Sequence, residues 1–161
     1  MTTAIVDALQ RRQAIDPKRS FIVQAPAGSG KTELLIQRFL ALLAQVERPE
    51  RILAITFTRK AAAEMRHRLL EALAAAELER PREPHRAQTY DLARAALDQD
   101  RRLGWNLLHN PGLLSIQTID SFNATLVRKM PWVSRLGGVP EIVEDAGQLY
   151  LEATVNLFQR L

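Results

Sequence analysis

Cysteine is absent from the 161 residues, histidine occurs only three times, and no apolar run approaches the roughly 18 residues that a membrane span needs. The first absence excludes disulfides, thiol catalysis and cysteine zinc sites, and is compatible with a reducing compartment. His67, His85 and His109 are scattered without metal-ligand spacing and read as ordinary surface or helix-end residues. Arg, Glu, Gln or Pro interrupts each hydrophobic stretch, and the N-terminal MTTAIVDALQRR has neither the basic-then-apolar order nor the cleavage site of a secretion signal. The expectation is a soluble, cytoplasmic protein with no membrane partner. Seven Gly and eight Pro are too few for a linker or a collagen-like repeat.

What is present is a globular composition, 47% hydrophobic and 25% charged, enough for one compact domain with a core. The net charge of +4 is uneven. From Pro140 onward four acids (Glu141, Glu144, Asp145, Glu152) stand against Arg160, a balance of −3, which leaves +7 on residues 1–139. That excess fits a polyanionic partner, and fits solvated helix faces equally well.

Apolar periodicity orders the chain. Residues 3–15 read as a short helix ending before Asp16-Pro17. Phe21–Ala25 is a short apolar run expected to be a buried parallel strand. From Thr32, Leu34, Leu35, Phe39, Leu42, Leu43 and Val46 recur at helical spacing up to Arg48-Pro49. Arg51–Phe57 predicts a second buried strand, and Ala62, Met65, Leu69 and Leu73 mark the inner face of the helix after it. Between PREPH and HNPG, Leu92, Ala95, Ala96 and Leu103 predict one or two helices. Leu113–Ile119 is a third strand candidate, and a helix from about Ser121 should break near Met130-Pro131. LGGVP at Leu136–Pro140 is the best linker, dividing 1–139 from 140–161. Residues 146–161 read as a helix with two apolar stripes, broken off in mid-pattern, as expected of the front part of a longer protein.

Between the first strand and the first long helix lies APAGSGKT, Ala25-Pro26-Ala27-Gly28-Ser29-Gly30-Lys31-Thr32. This is phosphate-loop spacing in the strand-to-helix context that gives the pattern a mechanism. Gly28 and Gly30 permit backbone conformations closed to other residues, so successive N–H groups and the helix N-terminus can face a phosphate. Lys31 is placed to reach the β- and γ-phosphates of a nucleotide and the Thr32 hydroxyl to ligate Mg²⁺, a catalytic pair. Ala25 stands where the general pattern has Gly. Hydrolysis also needs a carboxylate at the end of a neighbouring strand. Glu144-Asp145 follows too short an apolar stretch, and Asp120 is the one position able to serve.

Two further stretches complete a pattern. ILAITFTRKAAAEMRHRL at Ile52–Leu69 resembles motif Ia, and SIQTIDSFNATLVRKM at Ser115–Met130 the later T-x-H-S-F motif, of superfamily-one helicases of the UvrD/Rep type. The 65 positions between Phe57 and Phe122 bring the chain closer to the RecB and AddA components of helicase-nucleases. The resemblance implies an α/β P-loop NTPase fold of RecA-like type, an incomplete parallel sheet flanked by helices, over 1–139. It also implies a linker and the first helix of an inserted helical subdomain over 140–161. It implies an ATP-dependent enzyme that translocates on single-stranded DNA in repair. Its implied partners are a second RecA-like domain and a nuclease subunit, and the fragment by itself should hydrolyse little.

Carried over residue by residue, Gln10 is the adenine contact, and Ala25 to Thr32 hold the phosphates. Phe57, Thr58, Arg59, Lys60, Thr118, Ser121 and Phe122 face DNA, the two phenylalanines as stacking platforms and the polar groups as phosphate donors. Arg59 replaces the family's usual Asn, and Asp120, whose carboxylate repels phosphate, replaces His. Glu64 is expected to pair with Lys60 or Arg68 along its own helix. The alternatives are a small P-loop kinase, and a non-catalytic DNA-binding module with a vestigial P-loop.

Overall fold

Helices and a short parallel sheet form from the periodicities just described. In this computed structural model residues 8–26, 28–130 and 145–159 are described. The chain divides into two compact units, Met1–Phe122 and Asn123–Leu161.

In the first unit, helix α1 spans Ala8–Ile15 and packs on α2, Lys31–Leu43. A single 3-10 turn, Pro49–Arg51, leads into strand β1, Leu53–Thr56, and then α3, Arg59–Ala75. Helix α4, Pro84–Leu103, returns across α2 and α3, and a second 3-10 turn, Pro111–Leu113, leads into strand β2, Ser115–Thr118. Helix α5, Ile119–Lys129, runs across the division between the units. The second unit holds α6, Gly147–Phe158.

The two strands pair in parallel, with Leu53 opposite Ser115 and Thr56 opposite Thr118. Side chains alternate faces along a strand. Ala54 and Thr56 with Ile116 and Thr118 therefore share the face covered by α3, whereas Leu53 and Ile55 on the other face are exposed. The expectation of a strand buried on both sides is thus corrected to a strand covered on one.

The predicted strand Phe21–Ala25 does not form. The segment has no regular structure, Ile22 is 99% exposed and Val23 44%. A parallel strand takes its hydrogen bonds only from neighbours distant in sequence, and among the described residues the sheet consists of β1 and β2 alone. Apolar composition by itself supplies no such partner.

The core follows the expected faces in part: Leu34, Phe39 and Leu43 of α2 are buried as expected, but Leu35 is 51% exposed and Ile36 and Leu40 are buried instead, because the covered side of the helix is the one that meets α3 and α4. Leu40 and Leu43 of α2, with Leu69 and Leu73 of α3, are fully buried together with Leu97, Leu107 and Ile116. In α4 the buried stripe is Ala93, Ala96 and Leu97, whereas Ala95 and Leu103 face solvent, a rotation of the predicted face. Gly104 ends α4 in the left-handed conformation (φ 67°), and the buried Asp100 carboxylate accepts from the Leu107 N–H at 3.3 Å, tying down the following turn. Trp105 closes the same corner, its Nε1 donating to the Glu47 carbonyl at 3.2 Å. Arg66 donates to the Ile116 carbonyl at 2.7 Å and fastens α3 to β2.

The predicted linker Leu136–Pro140 and the start of the first helix, residues 3–7, lie outside the described residues. No helix among the described residues is long and apolar enough to cross a membrane.

Candidate nucleotide site and nucleic-acid interface

The loop that precedes α2 takes the conformation that its glycines allow. Gly28 has φ 75° and Gly30 φ 80°, both in the left-handed region, and Gly30 is the residue at which α2 begins. Ala27, between Pro26 and Gly28, lies outside the described residues. The Lys31 ammonium is folded back on its own loop, donating to the Ala25 carbonyl at 2.6 Å and to the Pro26 carbonyl. The Thr32 and Glu33 side chains are exposed on the first turn of α2. Ser29 Oγ is buried with no hydrogen-bond partner among the described residues, a polar atom that a ligand oxygen would satisfy.

Beside the loop is a cavity of about 420 Å³ whose wall includes Gln10, Arg11 and Gln13 of α1, Ala25, Ser29 and Lys31. Its volume falls within the range of small-molecule sites. Gln10, proposed from sequence as an adenine contact, shares this wall with the phosphate loop although 21 residues separate it from Lys31. Arg11 and Gln13 are additions that the resemblance did not supply. Arg11 Nη2 donates to the Ser29 carbonyl at 2.6 Å. Its position was readable: it stands three and four residues before the buried Ala14 and Ile15, on the inner face of α1.

The approach to the loop is held by Arg38 of α2. Its guanidinium donates to the carbonyls of Ala14 (2.7 Å), Asp16 (2.9 Å) and Arg19 (2.7 Å), so it caps the end of α1 and the turn after it. The same guanidinium lies 5.6 Å from the Phe21 ring centroid, and that of Arg19 lies 5.2 Å from it.

The second group of candidate residues gathers at one end of the sheet. Because β1 and β2 are parallel and Thr56 is opposite Thr118, both strands deliver their following residues to the same edge. Phe57 is 92% exposed there. Thr58 caps α3, its hydroxyl accepting from the Ala61 N–H at 3.1 Å, and Arg59 and Lys60 occupy the exposed first turn. On the β2 side, Thr118 is 5% exposed and its hydroxyl accepts from the Ser121 N–H at 3.2 Å, starting α5. Thr118 therefore supports the edge from inside, with Ser121 and Phe122 half-buried beyond it. Asp120 is exposed in the first turn of α5. Among the described residues no group of three acidic or histidine side chains converges to hold a metal ion.

Charge sharpens this contrast. Several basic side chains have acidic partners: Arg68 pairs with Glu64 along α3 at 2.6 Å, as expected, Arg80 of the α3–α4 connection with Asp91 at 2.7 Å, and Arg101 of α4 with Glu77 of that connection at 3.2 Å. The Arg80 hydrogen bond holds the Asp91 carboxyl below its ordinary range. By contrast, Arg59 and Lys60 have no acidic partner within 4 Å among the described residues.

The profile of the UvrD/REP helicase N-terminal domain matches residues 7–154. The AddA component of the ATP-dependent helicase/nuclease of Thermoanaerobacter sp. (strain X514) is 34% identical over 158 residues, covering 94% of this chain and 11% of the relative. Its counterpart of the same name from Anoxybacillus flavithermus is 34% identical over 144 residues, 86% of this chain and 10% of its own. DNA helicase II of Escherichia coli (strain K12) is 52% identical over 62 residues, 37% of this chain and 8% of the relative. The chain thus spans about a tenth of the length of these curated relatives. No solved structure matches the chain.

Proposed function

This chain belongs to the UvrD/REP helicase N-terminal domain family, and from that premise we propose that it is the ATP-binding front of an ATP-dependent DNA helicase that translocates on single-stranded DNA. Membership displaces the small-kinase alternative. The single observation that carries the nucleotide reading is the loop at Gly28–Thr32, with two left-handed glycines opening α2 beside a cavity that Gln10 and Lys31 share.

In this reading the N–H groups from Gly28 to Thr32 and the positive end of α2 receive the phosphates. Lys31 exchanges its two loop carbonyls for phosphate oxygens, which offer the ammonium a full opposite charge in place of dipoles. Ser29 Oγ supplies a further donor, and Gln10 meets the base from the α1 side. Thr32 is the residue that would hold Mg²⁺, an ion that uses few protein ligands beside phosphates and waters and that neutralises charge developing on phosphoryl transfer. An exposed hydroxyl on the first turn of α2 fits that role.

Phe57 offers a base an exposed ring face, Arg59 and Lys60 offer phosphate donors, and Phe122 and Ser121 extend the strip, with Thr118 and Thr58 shaping it. The apolar side chains exposed on α6, Leu149, Tyr150, Leu157 and Phe158 among them, suit the opening of an inserted helical subdomain that begins near residue 140. A second RecA-like domain and a partner nuclease complete the assembly.

Separate titrations of this chain with ATP and with single-stranded DNA test the proposal, each across a salt series. Lys31→Ala is expected to abolish ATP binding and leave DNA binding intact. Phe57→Ala is expected to weaken DNA binding by about 1–3 kcal/mol per stacked base and leave ATP binding intact. DNA affinity should fall steeply with salt. ATP affinity indifferent to Lys31→Ala, or DNA affinity indifferent to both salt and Phe57, would overturn it.

A further inference from the structure

Arg11 stands on the inner face of a short helix where amphipathic spacing calls for an apolar residue, and it is the half-buried member of Ala8–Gln13. Its Nη2 donates to the Ser29 carbonyl at 2.6 Å. Its guanidinium also packs against Gly30: a methyl group built on Gly30 would stand 3.3 Å from Nη1 and 3.9 Å from Nη2. One arginine, 18 residues upstream of Ser29, thus touches both residues of the Ser29–Gly30 peptide.

We propose that Arg11 is a positioning residue of the phosphate loop, holding the Ser29–Gly30 peptide so that the Gly30 N–H is turned into the phosphate cradle. A trans peptide is planar, so its C=O and N–H point in opposite directions. Fixing the Ser29 carbonyl on the guanidinium therefore fixes the Gly30 N–H away from it. A phosphate cradle works through convergent N–H groups, and a peptide flipped at Ser29–Gly30 would instead present a carbonyl oxygen to the anion. With φ 80° at Gly30 and φ 75° at Gly28, the loop has the glycine freedom that makes such a flip cheap. The guanidinium supplies the restraint that the glycines remove. Lys31 restrains the other end of the loop through the Ala25 and Pro26 carbonyls. That hold is released when the ammonium turns to phosphate, whereas the Arg11 hold acts on the far side of a peptide and persists with ligand bound.

The inference rests on the nucleotide-binding reading, and the experiment separates the two. Affinities of the whole chain for ATP and for inorganic tripolyphosphate are measured for wild type, Arg11→Ala, Arg11→Lys and Gln10→Ala, with the Gly30 amide followed by NMR without ligand. Arg11→Ala is expected to lower both affinities by the same factor, about tenfold for one charge-assisted hydrogen bond. Arg11→Lys, which keeps a donor, should recover part of the loss, and Gln10→Ala should weaken ATP alone. The Gly30 amide of Arg11→Ala should shift and exchange faster, while circular dichroism shows the helices retained. A loss confined to ATP would make Arg11 a base contact and overturn the proposal, as would unchanged affinity for both ligands. If wild type binds neither ligand, the nucleotide reading fails. The Gly30 amide then still decides, and one unaltered by Arg11→Ala overturns the positioning role.

Discussion

Removing Arg38 should loosen the first helix from the body of the fold, and the size of the effect can be worked from its bonds. The guanidinium of α2 donates to the Ala14, Asp16 and Arg19 carbonyls at 2.7, 2.9 and 2.7 Å and lies over Phe21. A hydrogen bond to a charged group is worth about 1.5–3 kcal/mol in mutational series. The three share one cation and so do not add. The Arg19 bond is exposed, where water replaces the lost donor. The two bonds near the end of α1 are half-buried and carry most of the loss, so Arg38→Ala should cost about 2–4 kcal/mol.

With a urea slope of about 1–3 kcal/mol per molar, the unfolding midpoint should fall by on the order of 1 M. Because α1 buries little apolar surface beyond Ala14 and Ile15, its amides should lose protection before those of α2 and α3 in hydrogen exchange. Arg38→Lys should recover only part, since one ammonium cannot span three carbonyls as a planar fork does. Urea unfolding monitored by far-UV circular dichroism, with hydrogen exchange on the same variants, measures both effects. A midpoint for Arg38→Ala within about 0.2 M of wild type, or an Arg38→Lys protein indistinguishable from wild type, would show that these bonds do not hold α1.

Two further outcomes are expected. Leu69, fully buried in the middle of α3, should cost about 2–5 kcal/mol on substitution by Ala and less than about 1.5 kcal/mol by Met, and a urea midpoint unchanged in Leu69→Ala would contradict the described core. The Arg80–Asp91 pair should make stability acid-sensitive. The folded-state pKa of Asp91 is lowered, chiefly by the Arg80 hydrogen bond, so its contribution is present above the unfolded value of about 3.9. It is lost as pH falls through the folded value. Wild type and Asp91→Asn should therefore differ at neutral pH, converge in acid, and differ less in high salt because the pair is exposed. A gap that persisted at the acid end would exclude this carboxyl as its source.

The loop before α2 was legible because its conformation is encoded in backbone freedom. In that loop Gly28 and Gly30 adopt positive φ, and Lys31 opens the helix, of whose expected stripe Leu34, Phe39 and Leu43 are buried while Leu35 faces solvent. The inner face of α3 was equally legible, since Ala62, Met65, Leu69 and Leu73 follow one another at helical spacing and all four are buried. Glu64 and Arg68, four positions apart on one helix, met as local geometry requires. Each of these rests on residues that are close in the chain.

What local spacing left open concerned partners far along the chain. Phe21–Ala25 has the composition of a strand, yet a strand exists only where another backbone takes up its hydrogen bonds, and β1 is paired with β2 alone among the described residues. The same reason leaves Leu53 and Ile55 exposed and turns the buried face of α4 to Ala93, Ala96 and Leu97. Which side of an apolar element is covered depends on the element opposite it. Parallel pairing of β1 with β2 brought Thr56 and Thr118, 62 positions apart, to one end of the sheet, with Phe57 following the first directly, and packing of α1 on α2 brought Gln10 and Arg11 to the loop. Motif, helix and turn were thus decided by neighbours in sequence. The sites were decided by tertiary packing, because juxtaposing distant residues costs chain entropy that only a shared core offsets.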